Sequence, residues 1–113
     1  MRPDLQPNEP LSQIVFVHDY MQLIFQDCSF TLWNVVSLTG AAGSLRQGAP
    51  GFCDAVVGLV GQTAQVVVSD TQLAFHFNAG STLAVPTSGK DARGPEAWML
   101  RRLGGPTVVE QNA

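Results

Sequence analysis

The chain has 113 residues, 45% of them hydrophobic, and carries 6 basic and 9 acidic side chains for a net charge of -3. That length makes one domain with a real core. The charge sign excludes a general electrostatic attraction to nucleic acid or anionic lipid. Charged residues make up 13% of the chain, about half the usual ~25%, so a small domain must cover its surface with unusually few charges, and an apolar interface is expected.

Residues 1–10 hold Pro3, Pro7 and Pro10 among polar residues, a spacing that denies a helix or central strand and predicts a flexible arm. Residues 13–18 are β-branched and aromatic and read as a strand, followed by a tight connection at Asp19-Tyr20. In residues 21–26, Met21, Leu23 and Phe25 alternate with Gln22, Ile24 and Gln26, the pattern of a half-buried strand. A turn at Asp27-Cys28-Ser29 leads to a third strand over 30–36.

Residues 37–51 are rich in Gly and Ala and read as a loop. Phe52, Val56, Leu59 and Val60 then sit at helical spacing between Pro50 and Gly61, predicting a short helix over 52–60. Three more strands are expected at 64–69, 72–77 and 81–86, with Asn78-Ala79-Gly80 as a hairpin turn. Ala97 to Leu100 suits a strand or a helical turn, and Thr107-Val108-Val109 suits an edge strand.

The two sets of strands echo each other. Val15-Phe16-Val17-His18-Asp19 returns as Val66-Val67-Val68-Ser69-Asp70, Gln22-Leu23-Ile24-Phe25 as Gln72-Leu73-Ala74-Phe75, and Leu32 as Leu83. Two copies at a spacing of about fifty make a duplicated half-domain and not a solenoid, which needs three or more units. The expected fold is α+β and mainly β: two three-stranded antiparallel meanders related by a pseudo-twofold, with one short helix between them, closed as a small sandwich or a barrel. The single domain at 11–113 divides into repeat one (11–36), loop and helix (37–61), repeat two (62–86) and a C-terminal segment (87–113). Aligning the copies places Val15, Val17, Leu23, Phe25 and Leu32 with Val66, Val68, Leu73, Phe75 and Leu83 in the core. The opposite face then carries Phe16, Ile24 and Trp33 in the first copy against Val67, Ala74 and Ala84 in the second. The three bulky residues are the candidate interface of a homodimer.

Chemistry-bearing motifs are sparse. His18, Asp19 and Asp70 end equivalent strands, where turn aspartates ordinarily accept backbone N–H bonds. His18 and His76 lack metal-ligand spacing, so no metal is expected. Cys28 and Cys53 form no disulfide framework and have no activating partner nearby, so no catalytic thiol is assigned. Gly40-Ala41-Ala42-Gly43 and Gly48 lack the Lys-Ser/Thr ending of a phosphate loop. Lys90, Arg93, Arg101 and Arg102 gather four of the six basic residues and read as a solvated edge. Gly94-Pro95-Glu96-Ala97-Trp98 suits either a contact loop or a turn into a last strand with Trp98 plugging the core.

The strand Asp19-Tyr20-Met21-Gln22-Leu23-Ile24-Phe25, the helix end from Phe52 to Gly61-Gln62, and Gly94-Pro95-Glu96-Ala97 resemble small bacterial proteins grouped as domains of unknown function. The resemblance spans residues 11–109 and implies no activity. The reading is a non-enzymatic protein-binding or assembly module that acts as a homodimer, of an immunity or regulatory-inhibitor type, without cofactor, nucleic acid or membrane, in the cytoplasm. The other reading is a small-ligand binder or enzyme with a site between the repeats at Asp19, Asp70, Glu96 and Trp98. An exposed apolar patch favours the first; a concave polar pocket favours the second.

Overall fold

The computed structural model describes residues 2–113. It is mainly β, with ten strands: β1 (Leu11–Val17), β2 (Tyr20–Phe25), β3 (Cys28–Leu32), β4 (Ser37–Gly40), β5 (Gly43–Arg46), β6 (Ala64–Val68), β7 (Gln72–Phe77), β8 (Thr82–Pro86), β9 (Glu96–Arg102) and β10 (Val108–Gln111). One short helix, α1 (Phe52–Val57), lies between β5 and β6. The strands form two antiparallel five-stranded sheets in the orders β1-β2-β3-β9-β10 and β5-β4-β8-β7-β6, and neither closes into a barrel.

Local sequence explains most of these elements. In β2, Met21, Leu23 and Phe25 are buried while Tyr20, Gln22 and Ile24 are not, as strict alternation requires. Gly80 turns the chain between β7 and β8 at φ 109°, a conformation that side-chain-bearing residues rarely adopt. In α1, Phe52 and Val56 face inward and Leu59 follows them into the core. Val60, expected on the same stripe, is exposed because the helix ends at Val57 and turns away.

Two expectations are corrected, and one open alternative is decided. Residues 37–51 contain a hairpin, β4–β5, whose Leu38 packs into the core. Its few large side chains hid it. The chain at 97–100 is a strand, since Trp98 pairs with Leu32 in the middle of the first sheet and Leu100 with Phe30. The face assignment of β1 is reversed. The two-residue turn at His18-Asp19 sets Val17 opposite Tyr20, Phe16 opposite Met21 and Val15 opposite Gln22. Directly opposed residues share a face, so Phe16 points to the inner side at the rim, and Val15 and Val17 point out.

The inner faces of both sheets contribute to one hydrophobic cluster. At its centre Phe30 of β3 meets Phe75 of β7 edge to face, with ring centroids 4.8 Å apart. Phe25 and Trp98 flank Phe30 at 6.2 and 6.4 Å. Leu23 and Leu73, like Phe25 and Phe75, are all buried. Burying each such side chain is worth roughly 1.5–3 kcal/mol. A polar hub sits at one end. Fully buried Asn34 donates to the Pro86 carbonyl at 2.7 Å and to Asn112 Oδ1, and accepts from the Arg93 N–H at 2.7 Å. Asn112 in turn donates to the carbonyls of Gly94 and Glu96. The cluster around Gly94-Pro95-Glu96 thus serves to hold the crossover from β3 to β4 against the chain's last residues.

Candidate functional site: the outer face of the first sheet

Alternation puts the residues between the buried ones on the outer side of each sheet. On the first sheet one row across all five strands reads Val15, Gln22, Thr31, Met99, Val109. A neighbouring row reads Gln13, Ile24, Ser29, Arg101. On the other side lie Val17 and Tyr20, which are paired, and Trp33, whose N–H donates to the Ala97 carbonyl at 3.0 Å and so extends the ladder beyond β3. Val17 is 39% and Val109 41% exposed; Val15, Tyr20, Ile24, Trp33 and Met99 are half-buried. Among the described residues of these rows, Arg101 carries the single charge. The polar side chains partly satisfy each other, as where Gln22 Nε2 donates to Thr31 Oγ1 at 3.1 Å.

The second sheet's outer face is different. Its rows read Gln65, His76, Thr82, Thr39, Ser44 and Val67, Ala74, Ala84, Ser37, Arg46. His76 Nδ1 and Thr82 Oγ1 lie 3.0 Å apart, and Thr39 and Ser44 share a hydroxyl hydrogen bond of 2.9 Å. Polar and small side chains pave the second sheet's outer face, whereas the first sheet's sets bulky apolar side chains among Gln13, Gln22, Ser29, Thr31 and Arg101. Ile24 and Trp33 lie on the apolar face as expected; Phe16, 43% exposed, lies at the rim of the inner side.

The four residues considered for a ligand are placed apart in role. Asp19 and Asp70 are exposed in the β1–β2 and β6–β7 turns. Glu96 opens β9, and its carbonyl is taken by Asn112. Trp98 is fully buried, with its indole N–H unpaired in the core. None of the three main clefts is lined by any of them, and among the described residues no group of three or more His, Cys, Asp or Glu gathers at metal-binding distance.

The largest of these three clefts, about 430 Å³, lies instead between the β2–β3 turn and the end of β9, lined by Asp27, Cys28, Arg101 and Arg102 among others. Arg102 Nη1 meets Asp27 Oδ2 at 2.9 Å. Burial pushes the Asp27 carboxyl up, but the Asn8 N–H, its own N–H and the Arg102 guanidinium outweigh this and hold it below the usual carboxylate range. Burial, and then the Asp27 charge, push the Cys28 thiol up to about 11, which leaves it a poor nucleophile. The pairing is one of β-ladder neighbours, since Cys28 lies opposite Arg102, and no local sequence pattern announces it. No protein-family model, curated protein or solved structure matches the chain. Among the described residues no helix is long and apolar enough to cross a membrane.

Proposed function

We propose that the protein is a non-enzymatic assembly module that pairs with a second copy of itself through the outer face of its first sheet. The observation that supports this most is the contrast between the two outer faces. Val15, Val17, Tyr20, Ile24, Trp33, Met99 and Val109 crowd one of them, with Arg101 as the sole charge in the rows described. Two such faces meet without like-charge repulsion over most of their area. Self-association about a twofold is the commonest way for a soluble protein to cover such a patch.

The size of the face sets the strength. Five strands about 4.8 Å apart, with about 3.3 Å per residue, span roughly 20 by 20 Å. That is on the order of 400 Å² in projection, below the ~800 Å² each partner gives to a standard interface. The dimer is therefore a weak one, formed at micromolar concentrations. Sedimentation at rising concentration tests this. Wild type should shift from monomer to dimer by tens of micromolar, and Trp33→Glu should stay monomeric with unchanged circular dichroism. A wild type that remains monomeric over that range sinks the proposal.

We also read the two sheets as a sandwich of duplicated halves. Written from the meander outward, the strand orders are β1-β2-β3-β9-β10 and β6-β7-β8-β4-β5. Each meander is followed in the chain by a hairpin that joins the other meander's third strand. A pseudo-twofold with exchanged hairpins accounts for both orders at once. Two free cysteines, Cys28 buried and Cys53 exposed, fit a reducing compartment such as the cytoplasm.

A further inference from the structure

The edge of the second sheet at β6 is held by a segment that belongs to no sheet. Leu5 is fully buried in the common core. The Gln6 side chain then does what a strand's backbone does. Its Nε2 donates to the Val66 carbonyl at 2.8 Å and its Oε1 accepts from the Val66 N–H at 2.8 Å. Two further bonds fix the segment's backbone: Arg102 Nη2 donates to the Gln6 carbonyl at 2.8 Å, and the Asn8 N–H donates to Asp27 Oδ2 at 2.9 Å. The half-buried Asp27–Arg102 pair is thus aimed at the arm as well as at itself. Pro7, Asn8, Glu9 and Pro10 link this segment to β1, and the last three are exposed.

An unpaired strand edge is a template for another chain, and here a short segment fills it through one apolar anchor, one side-chain amide and two backbone contacts. The side-chain amide of Gln6 here stands in for the main-chain hydrogen bonds by which a peptide is usually recognised at a sheet edge. We infer that the β6 edge, with the Leu5 pocket and the Asp27–Arg102 pair, is a docking groove for a Leu-Gln segment whose leucine ends a single 3-10 turn (Pro3–Leu5) and whose glutamine begins an extended stretch, filled in the free chain by its own residues 4–8 and open to the same segment of a second copy. Exchange of an identical element is a low-cost route to association, and the buried Leu5 and the paired Gln6–Val66 bonds show that the groove fits this segment. A tethered arm competes at an effective concentration of roughly millimolar, so the groove is mostly closed to a second chain until its own arm is weakened. The groove lies on the second sheet and stands apart from the reading of the first sheet's outer face.

The probe is a fluorescent peptide of residues 2–10, titrated by anisotropy into the full chain and its Gln6→Ala variant. The variant should bind it saturably and at least tenfold more tightly than wild type does. A peptide whose own glutamine is replaced by alanine should bind at least tenfold more weakly, and Trp33→Glu should leave binding as in wild type. Hydrogen exchange supplies a readout that needs no variant. In wild type the Val66 amide should exchange at least tenfold faster than the slowest amides of β7, as the arm leaves without global unfolding. Val66 exchanging in step with β7, or a folded Gln6→Ala chain that ignores the peptide, overturns the inference. Should Gln6→Ala not fold, the wild-type exchange decides alone.

Discussion

Replacing Phe30 and Phe75 by leucine, singly and together, tests whether the two sheets share a core. Both rings are fully buried, and their centroids lie 4.8 Å apart at 87°, the edge-to-face arrangement. Leucine keeps most of the apolar volume, so each single variant should fold and lose about 1–2 kcal/mol, well under the ~3–5 of Phe→Ala. The ring pair itself contributes about 0.5–1.5 kcal/mol beyond burial. The double variant should therefore lose less than the sum of the singles by about that amount. Urea unfolding followed by tryptophan fluorescence measures all four chains, and Trp98, 6.4 Å from Phe30, reports on the same region. Distant sites add to within about 0.3–0.5 kcal/mol. Additivity at that level would mean that the sheets do not meet through these rings.

Other outcomes are expected. Asp27 is held below the usual carboxylate range, so its pairing adds stability that is present above the unfolded-state value of about 3.9 and is lost as pH falls through the lowered folded value. Asp27→Asn should be less stable than wild type at pH 7, with the gap in urea midpoint closing in acid; a constant gap refutes the assignment. Cys28, raised from 9.0 to about 11, keeps its proton more tightly when folded. Its contribution should be full below pH 9 and fade towards pH 11, so the advantage of wild type over Cys28→Ala should shrink across that window. A thiol reagent should label the exposed Cys53 in the native chain and spare Cys28 until unfolding; equal labelling counts against the burial. Asn34→Ala should cost about 1–3 kcal/mol, since it strands the part-buried Arg93 N–H and Pro86 carbonyl, and a loss near zero in urea unfolding disproves the hub.

What could be read from the chain was what its neighbours in sequence decide. The alternation of Met21, Leu23 and Phe25, the apolar stripe from Phe52 to Leu59, and the Asn78-Ala79-Gly80 turn are short-range signals, and each appears in the structure. Ile24 and Trp33 could be placed on an outer face for the same reason. Phe16 could not, because its face depends on a two-residue turn that pairs Val17 with Tyr20, and a one-residue slip inverts a strand. The β4–β5 hairpin was hidden because its stability comes from β8, more than forty residues away, and not from its own small side chains. Gln6 and Val66, like Asp27 and Arg102, are partners only in space. A glutamine in a proline-rich stretch gives no local hint that it will complete a sheet.

The exchange of hairpins between the sheets has a consequence for how the chain reaches this state during synthesis. β3 finds its outer neighbour only when β9 arrives, and the Cys28↔Arg102 and Leu32↔Trp98 pairs close over long stretches of sequence. A ribosome that has released residues 1–95 has delivered the first meander with β3 as a bare edge, bearing the apolar Phe30 and Leu32. Until then the second meander can complete itself with β4, already made. The nascent chain should thus finish its later half first and its earlier half last, against the usual order of appearance. Folding limited by these distant pairings should be slow for a chain of this size, and the waiting edge of β3 is the place where a chaperone would be needed.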